Sequence, residues 1–206
     1  MADKTHWDQV YAAKTDDALS WYQAHAWRSL ALIEGSGVDR DAAIIDVGGG
    51  ASTLAADLLD RGYANLWVLD ISPAALAAAR TRIGKDAARI HWVEADVTRA
   101  VLPPAHFMIW HDRAVFHFLT EAAARAAYVA KARATVKPGG HVIIATFAED
   151  GPEQCSGLPV VRYDAPSLHA QFGDAWELLH TEREAHRTPA GGLQQFRYCH
   201  LRRLPR

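Results

Sequence analysis

Apolar and polar positions along the chain follow two different periods, and these periods predict an ordered series of strands and helices. Five short apolar runs are typical of strands buried on both faces, at 42–48, 65–72, 89–96, 106–112 and 141–147. Three stretches between them carry helical spacing, at 51–62, 73–84 and about 120–136. Because strands alternate with helices, the sequence predicts a parallel sheet covered on both faces.

The two ends of the chain depart from this alternation. Residues 1–40 are helix-like, and we expect a helix from about Trp21 to Glu34, capped by Asp16-Asp17 or Ser20. A short helix is predicted near 167–172. Two further strands, 176–188 and 194–203, are joined by a short turn at 189–192 and must therefore be antiparallel. The expected fold is a doubly wound α/β sheet of seven strands, mostly parallel with an antiparallel C-terminal strand, preceded by N-terminal helices.

Composition and charge narrow the classes of function. The chain has 206 residues with 50% hydrophobic side chains, which suits one domain with a full core. A net charge of -2 argues against a broad electrostatic grip on nucleic acid, and two cysteines cannot form a disulfide framework. No apolar run approaches the ~20 residues of a membrane span, and the N-terminus lacks the apolar stretch of a secretory signal. We therefore expect a cytoplasmic protein that acts on a small molecule.

A glycine-rich turn and two aspartates follow the first three predicted strands. The turn runs from Asp46 to Ser52, where glycines let backbone amides approach a ligand closely. Asp70 closes the second strand, where a carboxylate can accept both ribose hydroxyls, and Asp96 closes the third. Thr53 stands where the dinucleotide fingerprint needs its third glycine, so a pyrophosphate ligand is not expected. The alternative is that both aspartates only start turns or cap helices.

The segments IIDVGGGAS, LWVLDIS, VEADV and VKPGGHVIIATF resemble the successive motifs of class I S-adenosylmethionine-dependent methyltransferases, which have a Rossmann-like fold. The resemblance covers about residues 42–147. It implies that the first acid and the glycine loop bind the methionine part of S-adenosylmethionine, that Asp70 holds the ribose and that Asp96 and Val97 meet the adenine. The expected cofactor-binding residues are Asp46, Gly48, Gly49, Gly50, Ser52, Asp70, Ile71, Asp96, Val97 and Trp21.

Candidates for the chemistry lie at the end of the fourth strand, in WHDRAVFHFL (110–119). The resemblance implies that this strand end lies beside the transferable methyl group. The candidate catalytic residues are therefore His111, Asp112, Arg113 and His117. The alternatives are that Asp112 caps the following turn and that His117 packs in the core. The spacing of the histidines does not fit a metal site, so no metal is expected.

The flanking regions are expected to form the rest of a single domain. The resemblance predicts that residues 1–40 form a helical lid whose aromatic side chains cover the cofactor, next to the core at 41–147. Residues 148–206 are expected to supply an acceptor loop, including Cys155, and the terminal hairpin. Loops of this kind carry specificity because rigid strands position them.

Three hypotheses about the function are compatible with these features. The leading hypothesis is methyl transfer to a small nucleophile, such as a thiol or chalcogen compound, in the style of thiopurine and small-thiol methyltransferases. The second is a protein lysine methyltransferase, although the segment WHDRAVFHF differs from the Asp-Lys-Gly turn typical of those enzymes. A non-catalytic cofactor-binding module is the third, and the intact glycine loop argues against it.

Overall fold

The computed structural model describes residues 4–13 and 15–205. Residues 1–3 and 14 of the predicted lid, and residue 206 of the predicted terminal region, lie outside the described residues. The helices are α1 Lys4–Ala13, α2 Trp27–Gly35, α3 Leu54–Asp60, α4 Pro73–Ile83, α5 Ala122–Thr135 and α6 Ala165–Phe172. The strands are β1 Ile44–Val47, β2 Leu66–Asp70, β3 Ile90–Glu94, β4 Phe107–Arg113, β5 Val136–Phe147, β6 Gln154–Cys155, β7 Leu158–Pro159, β8 Trp176–Arg187 and β9 Leu193–Arg203.

Seven strands form one sheet in the order β3-β2-β1-β4-β5-β9-β8, as expected from the sequence. Strands β1 to β5 pair in parallel, whereas β9 is antiparallel to both β5 and β8. The fold is therefore the predicted doubly wound α/β sheet, mostly parallel, with its antiparallel strand near the C-terminus. A separate hairpin of β6 and β7 lies in the loop that follows β5.

The central strands bury both faces, which explains why they read as continuous apolar runs. Ile45 and Trp110 pack in one apolar layer with α5 and α6, while Ile44 and Ile109 pack in the other with α2, α3 and α4. Successive side chains of a strand point to opposite faces, so each strand contributes to both layers. Each fully buried side chain of this size contributes roughly 1.5–3 kcal/mol to the hydrophobic driving force.

The predicted start of the second helix was wrong. Helix α2 begins at Trp27, six residues after the predicted start, and Ala26 occupies its N-cap without a side-chain cap bond. The cap comes instead from another element, because the amide of Ala26 donates to Asp57 of α3 at 2.8 Å. Residues 21–26 are thereby freed from the helix and form an irregular segment in front of it.

The order of the sheet reverses between β1 and β4, which are neighbours although β1 is followed by β2 in the chain. In open α/β sheets, ligands bind in the crevice beyond the carboxyl ends of the strands at this switch point. The glycine turn after β1 and the candidate segment at the end of β4 both open into this crevice. The fold thus places the predicted site residues at one edge of the sheet.

Candidate active site

The glycine turn after β1 leaves no space for side chains, because atoms of neighbouring residues lie close to its backbone. Gly48 adopts φ +68, a conformation that favours glycine, and a Cβ on it would lie 2.0 Å from Val115 Cγ2. A Cβ on Gly49 would lie 2.4 Å from Asp46 Oδ2, and one on Gly50 would lie 2.5 Å from the side chain of Ala75. Glycine is therefore required at all three positions for steric reasons.

Asp70, at the end of β2, is tied to this turn. Its Oδ2 accepts the amide of Gly50 at 3.0 Å, and its Oδ1 accepts the amide of Ser72 at 2.9 Å. Burial raises the pKa of Asp70 to about 6, and these two amide hydrogen bonds oppose the shift. A carboxylate oxygen has two lone pairs. Each oxygen of Asp70 therefore keeps one acceptor position for a ligand hydroxyl.

Asp96 lies two residues beyond β3, which ends at Glu94 and not at Asp96 as predicted. Its Oδ1 accepts from the amide of Thr98 at 2.8 Å and from the Thr98 hydroxyl at 2.7 Å. These bonds match the alternative that Asp96 stabilises a turn. Asp96 and Val97 also line a cavity, so the turn holds them at its wall.

The larger cavity, called cavity A, encloses about 740 Å³ together with its open mouth. One part of its wall comes from the ends of β1, β2 and β3, and the other part from aromatic and small side chains of distant segments. The lining residues are Trp7, Tyr11, Trp21, Val47, Gly48, Leu69, Asp70, Ile71, Ala95, Asp96, Val97, Arg113, Ala114, Val115, Phe118 and Cys155.

A second cavity, called cavity B, has a volume of about 450 Å³ and also borders Gly48. Gly48, Trp21 and Arg113 line both cavities, so the two spaces meet at these residues. The other lining residues of cavity B are Tyr22, Gln23, Ala26, Ser29, Asp46, Ala51, Ser52, Thr53 and His111.

Asp46 and His111 form a buried pair at the base of cavity B. His111 Nδ1 lies 2.7 Å from Asp46 Oδ1, and His111 Nε2 lies 2.8 Å from the Ser29 hydroxyl. Both ring nitrogens of His111 are thus engaged. Asp46 Oδ2 is buried and has no hydrogen-bond partner within the part of the chain that the structure describes. A buried carboxylate oxygen without a partner is costly, and a cationic ligand group in cavity B would satisfy it.

The four candidate catalytic residues do not converge on one point. His111 and Arg113 face the cavities because they alternate with Asp112 along β4. Asp112 points to the opposite face, is fully buried, and accepts from the Tyr128 hydroxyl at 2.5 Å and from two amides of the following turn. This geometry matches the alternative that Asp112 caps the turn. Burial raises the pKa of Asp112 to about 6, and these bonds oppose the shift.

His117 also lies away from both cavities. It is completely buried, and its Nδ1 accepts the amide of Phe147 at 3.2 Å, so the ring proton belongs to Nε2. Burial, with the nearby charge of Arg113, lowers the pKa of His117 to about 3. The ring packs between Phe118 and Phe147 at centroid distances of 4.5 and 4.6 Å. The geometry matches the alternative that His117 is a core residue.

Four aromatic rings meet at the mouth of cavity A. The ring of Trp7 lies nearly perpendicular to those of Trp21 and Phe118, at centroid distances of 6.0 and 5.0 Å, and Tyr11 lies 6.2 Å from Trp21. Phe118 also lines cavity A, although the sequence does not distinguish it from other apolar residues. Its place beside the candidate His117, in the segment that follows β4, is the one signal in the sequence that points to it.

Helix α1 is held against the ends of β2 and β3 by polar contacts. The Ser72 hydroxyl donates to Asp8 at 2.5 Å, and Lys4 pairs with Glu94 at 2.5 Å. Ser72 is also the N-cap of α4 and donates its amide to Asp70. Trp7 and Tyr11 are thereby placed over cavity A. In the described residues, no group of three side chains is arranged to hold a metal ion.

No helix within the described part of the chain has the length and the apolar composition to cross a membrane. Residues 44–140 match a family model described as a methyltransferase domain. No curated protein matches the sequence significantly.

Solved structures share the fold at low sequence identity. One, described for the conversion of a disulfide bond into a thioacetal group during echinomycin biosynthesis, is 20% identical over 98% of this chain and 91% of that chain, with a TM-score of 0.77. The 1,6-didemethyltoxoflavin-N1-methyltransferase of Burkholderia thailandensis is 20% identical over 98% and 84%, with a TM-score of 0.70. The N-methyltransferase NodS of Bradyrhizobium japonicum is 15% identical over 98% and 99%, with a TM-score of 0.70. The family match over residues 44–140, the strand order and the glycine turn together support a class I S-adenosylmethionine-dependent methyltransferase.

Proposed function

We propose that this enzyme transfers the methyl group of S-adenosylmethionine to a small sulfur or other chalcogen nucleophile in cavity A. One observation carries the proposal. Away from Asp70 and Asp96, the described lining of cavity A is aromatic, aliphatic or small, with Arg113 as its charged group and without a carboxylate or an imidazole. A site without a base suits an acceptor that is already ionised or strongly nucleophilic at neutral pH.

The residues fit the cofactor when it spans both cavities. The unpaired Oδ2 of Asp46 in cavity B suits the positively charged amino group of the methionine part. Asp70 retains acceptor positions for the ribose hydroxyls, and Asp96 with Val97 suits the adenine. Gly48, which lines both cavities, would then border the sulfonium end of the cofactor.

S-adenosylmethionine supplies an electrophilic methyl group on a sulfonium, so the protein mainly has to align the nucleophile and keep water out. Holding two reactants in line can supply roughly 7–11 kcal/mol of the barrier reduction. Trp7, Trp21 and Phe118 provide apolar walls that exclude water from cavity A. Their ring faces also attract the sulfonium charge.

Arg113 favours an acceptor that carries negative charge. Its side chain is only 9% exposed and lines both cavities. Glu184 pairs with the guanidinium at 3.3 Å and offsets part of its charge, but a guanidinium N–H can still donate to a thiolate and thereby favour it over the thiol. A lysine ammonium would instead need a base to remove its proton. The lysine methyltransferase hypothesis is therefore less well supported.

The neighbouring structures support a small acceptor. The one associated with echinomycin concerns chemistry at sulfur, and the Burkholderia thailandensis enzyme is named for N1 methylation of 1,6-didemethyltoxoflavin. Both names refer to small molecules, and each match spans nearly the whole of this chain.

A screen for S-adenosylhomocysteine release tests the proposal. The panel contains thiols, sulfide, selenium and tellurium anions, amines, carboxylic acids and flat nitrogen heterocycles, and a protein extract with labelled cofactor forms a separate arm. We expect turnover with the sulfur and chalcogen members. Labelled protein bands, or turnover confined to amines, would contradict the proposal.

The pH dependence of kcat/KM tests whether the enzyme uses a base to deprotonate the acceptor. We expect kcat/KM for a thiol to rise about tenfold per pH unit up to the pKa of that thiol in the free state. Two thiols with different pKa values should show inflections that differ accordingly. One common inflection for both thiols would reveal a base on the enzyme and contradict the mechanism.

A further inference from the structure

Residues 20–23 form a segment, here called the strap, that closes both cavities in front of α2. Trp21 lines cavities A and B, and Tyr22 and Gln23 line cavity B. The strap belongs neither to a helix nor to a strand. Its position must therefore be fixed by contacts other than a helix or sheet ladder.

Three contacts attach the strap to the end of β4 and to the terminal hairpin of β8 and β9. Arg113 Nη1 donates to the carbonyl of Trp21 at 3.0 Å, and His186 Nε2 donates to the carbonyl of Ser20 at 2.9 Å. The side-chain amide of Gln23 donates to Glu184 Oε1 at 2.8 Å.

Glu184 connects two of these contacts. Its Oε2 accepts from the Tyr198 hydroxyl at 3.0 Å and from Arg113 Nη2 at 3.3 Å, while Arg113 Nε donates to the Tyr198 hydroxyl at 2.9 Å. The guanidinium lies 4.2 Å over the ring of Phe196. The side chains of Arg113 and Glu184 are 9% and 13% exposed, so their ion pair is little weakened by solvent. Glu184 thus binds Gln23 directly and holds Arg113 in the orientation that reaches Trp21.

We propose that Glu184 is a positioning residue, which acts through Arg113 and Gln23 to hold the strap and with it Trp21 against both cavities. Glu184 itself does not line either cavity in the described structure. The proposal rests on the proposed function in one respect, namely that the cofactor occupies cavity B. The terminal hairpin then determines the shape of the site through Glu184, although Glu184 does not line it.

Hydrogen exchange in the protein without ligand tests this attachment. We expect Glu184→Ala to increase amide exchange in a peptide covering residues 19–26 by roughly tenfold, since a hydrogen bond to a charged group is worth about one power of ten. Glu182→Ala is the matched control. Glu182 lies on the same strand and binds Arg28 of α2 at 2.6 Å, away from the strap.

Binding of S-adenosylhomocysteine, measured by calorimetry, tests the consequence for the site. We expect Glu184→Ala to raise Kd roughly tenfold, Glu182→Ala to leave it unchanged, and Glu184→Gln to restore part of the affinity because its amide oxygen still accepts one hydrogen bond. Gln23→Ala removes one strap contact and leaves the Arg113–Glu184 ion pair intact, which keeps the test valid if Glu184→Ala does not fold. In the variant that carries both Glu184→Ala and Gln23→Ala, the loss of binding free energy should be smaller than the sum of the two single losses.

Two results would overturn the proposal. One is unchanged strap exchange in both Glu184→Ala and Gln23→Ala, and the other is an equal effect of Glu182→Ala on exchange and affinity. Failure of the unmodified protein to bind S-adenosylhomocysteine would instead contradict the proposed function. The exchange measurement in the protein without ligand would still decide whether Glu184 holds the strap.

Discussion

At the scale of single residues, the three buried aspartates near the site differ in the hydrogen bonds that their carboxylates already accept. Asp112 has its acceptors occupied by Tyr128 and two amides, whereas Asp46 keeps one oxygen without a partner in the described structure. Asp70 is intermediate, with one amide on each oxygen. Asp46 and Asp70 line the cavities and Asp112 does not, so only the former two can meet a ligand there.

Asp70→Ala should weaken the binding of S-adenosylhomocysteine by roughly 100-fold, because two hydrogen bonds to a charged acceptor are lost. Calorimetry at pH 8 measures this. The control is Asp86→Ala, which removes a half-exposed acid that pairs with its helical neighbour Arg89. Unchanged affinity in Asp70→Ala would contradict the ribose assignment.

The same carboxylate predicts a pH dependence. Ribose hydroxyls donate to the ionised form, and the pKa of Asp70 is raised to about 6 by burial. Affinity for S-adenosylhomocysteine should therefore reach its full value well above pH 6 and decrease as the pH falls through 6. In Asp70→Ala this decrease should be absent. The free energy of unfolding should depend on pH in the opposite direction. Because the pKa of Asp70 is higher in the folded than in the unfolded protein, Asp70 contributes stability that is fully present below about pH 4 and is lost as the pH rises through 6.

His117→Ala should reduce the free energy of unfolding by about 2–4 kcal/mol, because it leaves a cavity and an unpaired amide at Phe147. Urea denaturation measures the loss, with the half-exposed His180→Ala as a control. At a temperature where the variant is folded, we expect cofactor affinity to remain unchanged. A loss of turnover without a loss of stability would restore His117 as a candidate catalytic residue.

The sequence places the candidate residues at the end of a strand, but it does not show which face of the strand each side chain takes. The candidate stretch at the end of β4 does border the cavities, but residue type alone could not assign its members to faces. Strand alternation separates Asp112 from Arg113, and that separation becomes visible only when the strand bounds are known.

At the scale of elements, the second helix shows how a tertiary contact replaces a local signal. Asp57 accepts the amide of Ala26 at 2.8 Å and pairs with His25 at 2.7 Å, so α3 caps α2. The sequence predicted a helix start about six residues too early because the capping group lies 31 residues further along the chain. The strap exists as an irregular segment for the same reason.

Asp57→Ala should destabilise the protein by about 1–2 kcal/mol, the usual cost of losing a helix N-cap. Thermal unfolding checks this, with Asp60→Ala as the control because Asp60 is exposed at the end of the same helix. If the two variants unfold at the same temperature, the cap does not stabilise α2.

At the scale of the whole molecule, the order of elements and the strand-end residues of the cavities were predictable, whereas the full set of wall residues was not. Periodicity marks a strand or a helix locally, and short connections then restrict the topology. The wall of cavity A instead combines Trp7, Phe118 and Cys155, which lie far apart in sequence. Only the three-dimensional packing brings such residues together.

The position of β9 in the sheet has a consequence for the order in which the molecule can assemble. Although β9 follows β8 in the chain, it lies between β5 and β8, so β8 has no neighbour in the sheet until β9 has paired with β5. Glu184 and His186 lie on β8, and Tyr198 lies on β9. A ribosome-bound chain that has emerged only to β8 can therefore form its parallel core but not hold the strap. Closure of the site would then coincide with the last strand pairing of the sheet.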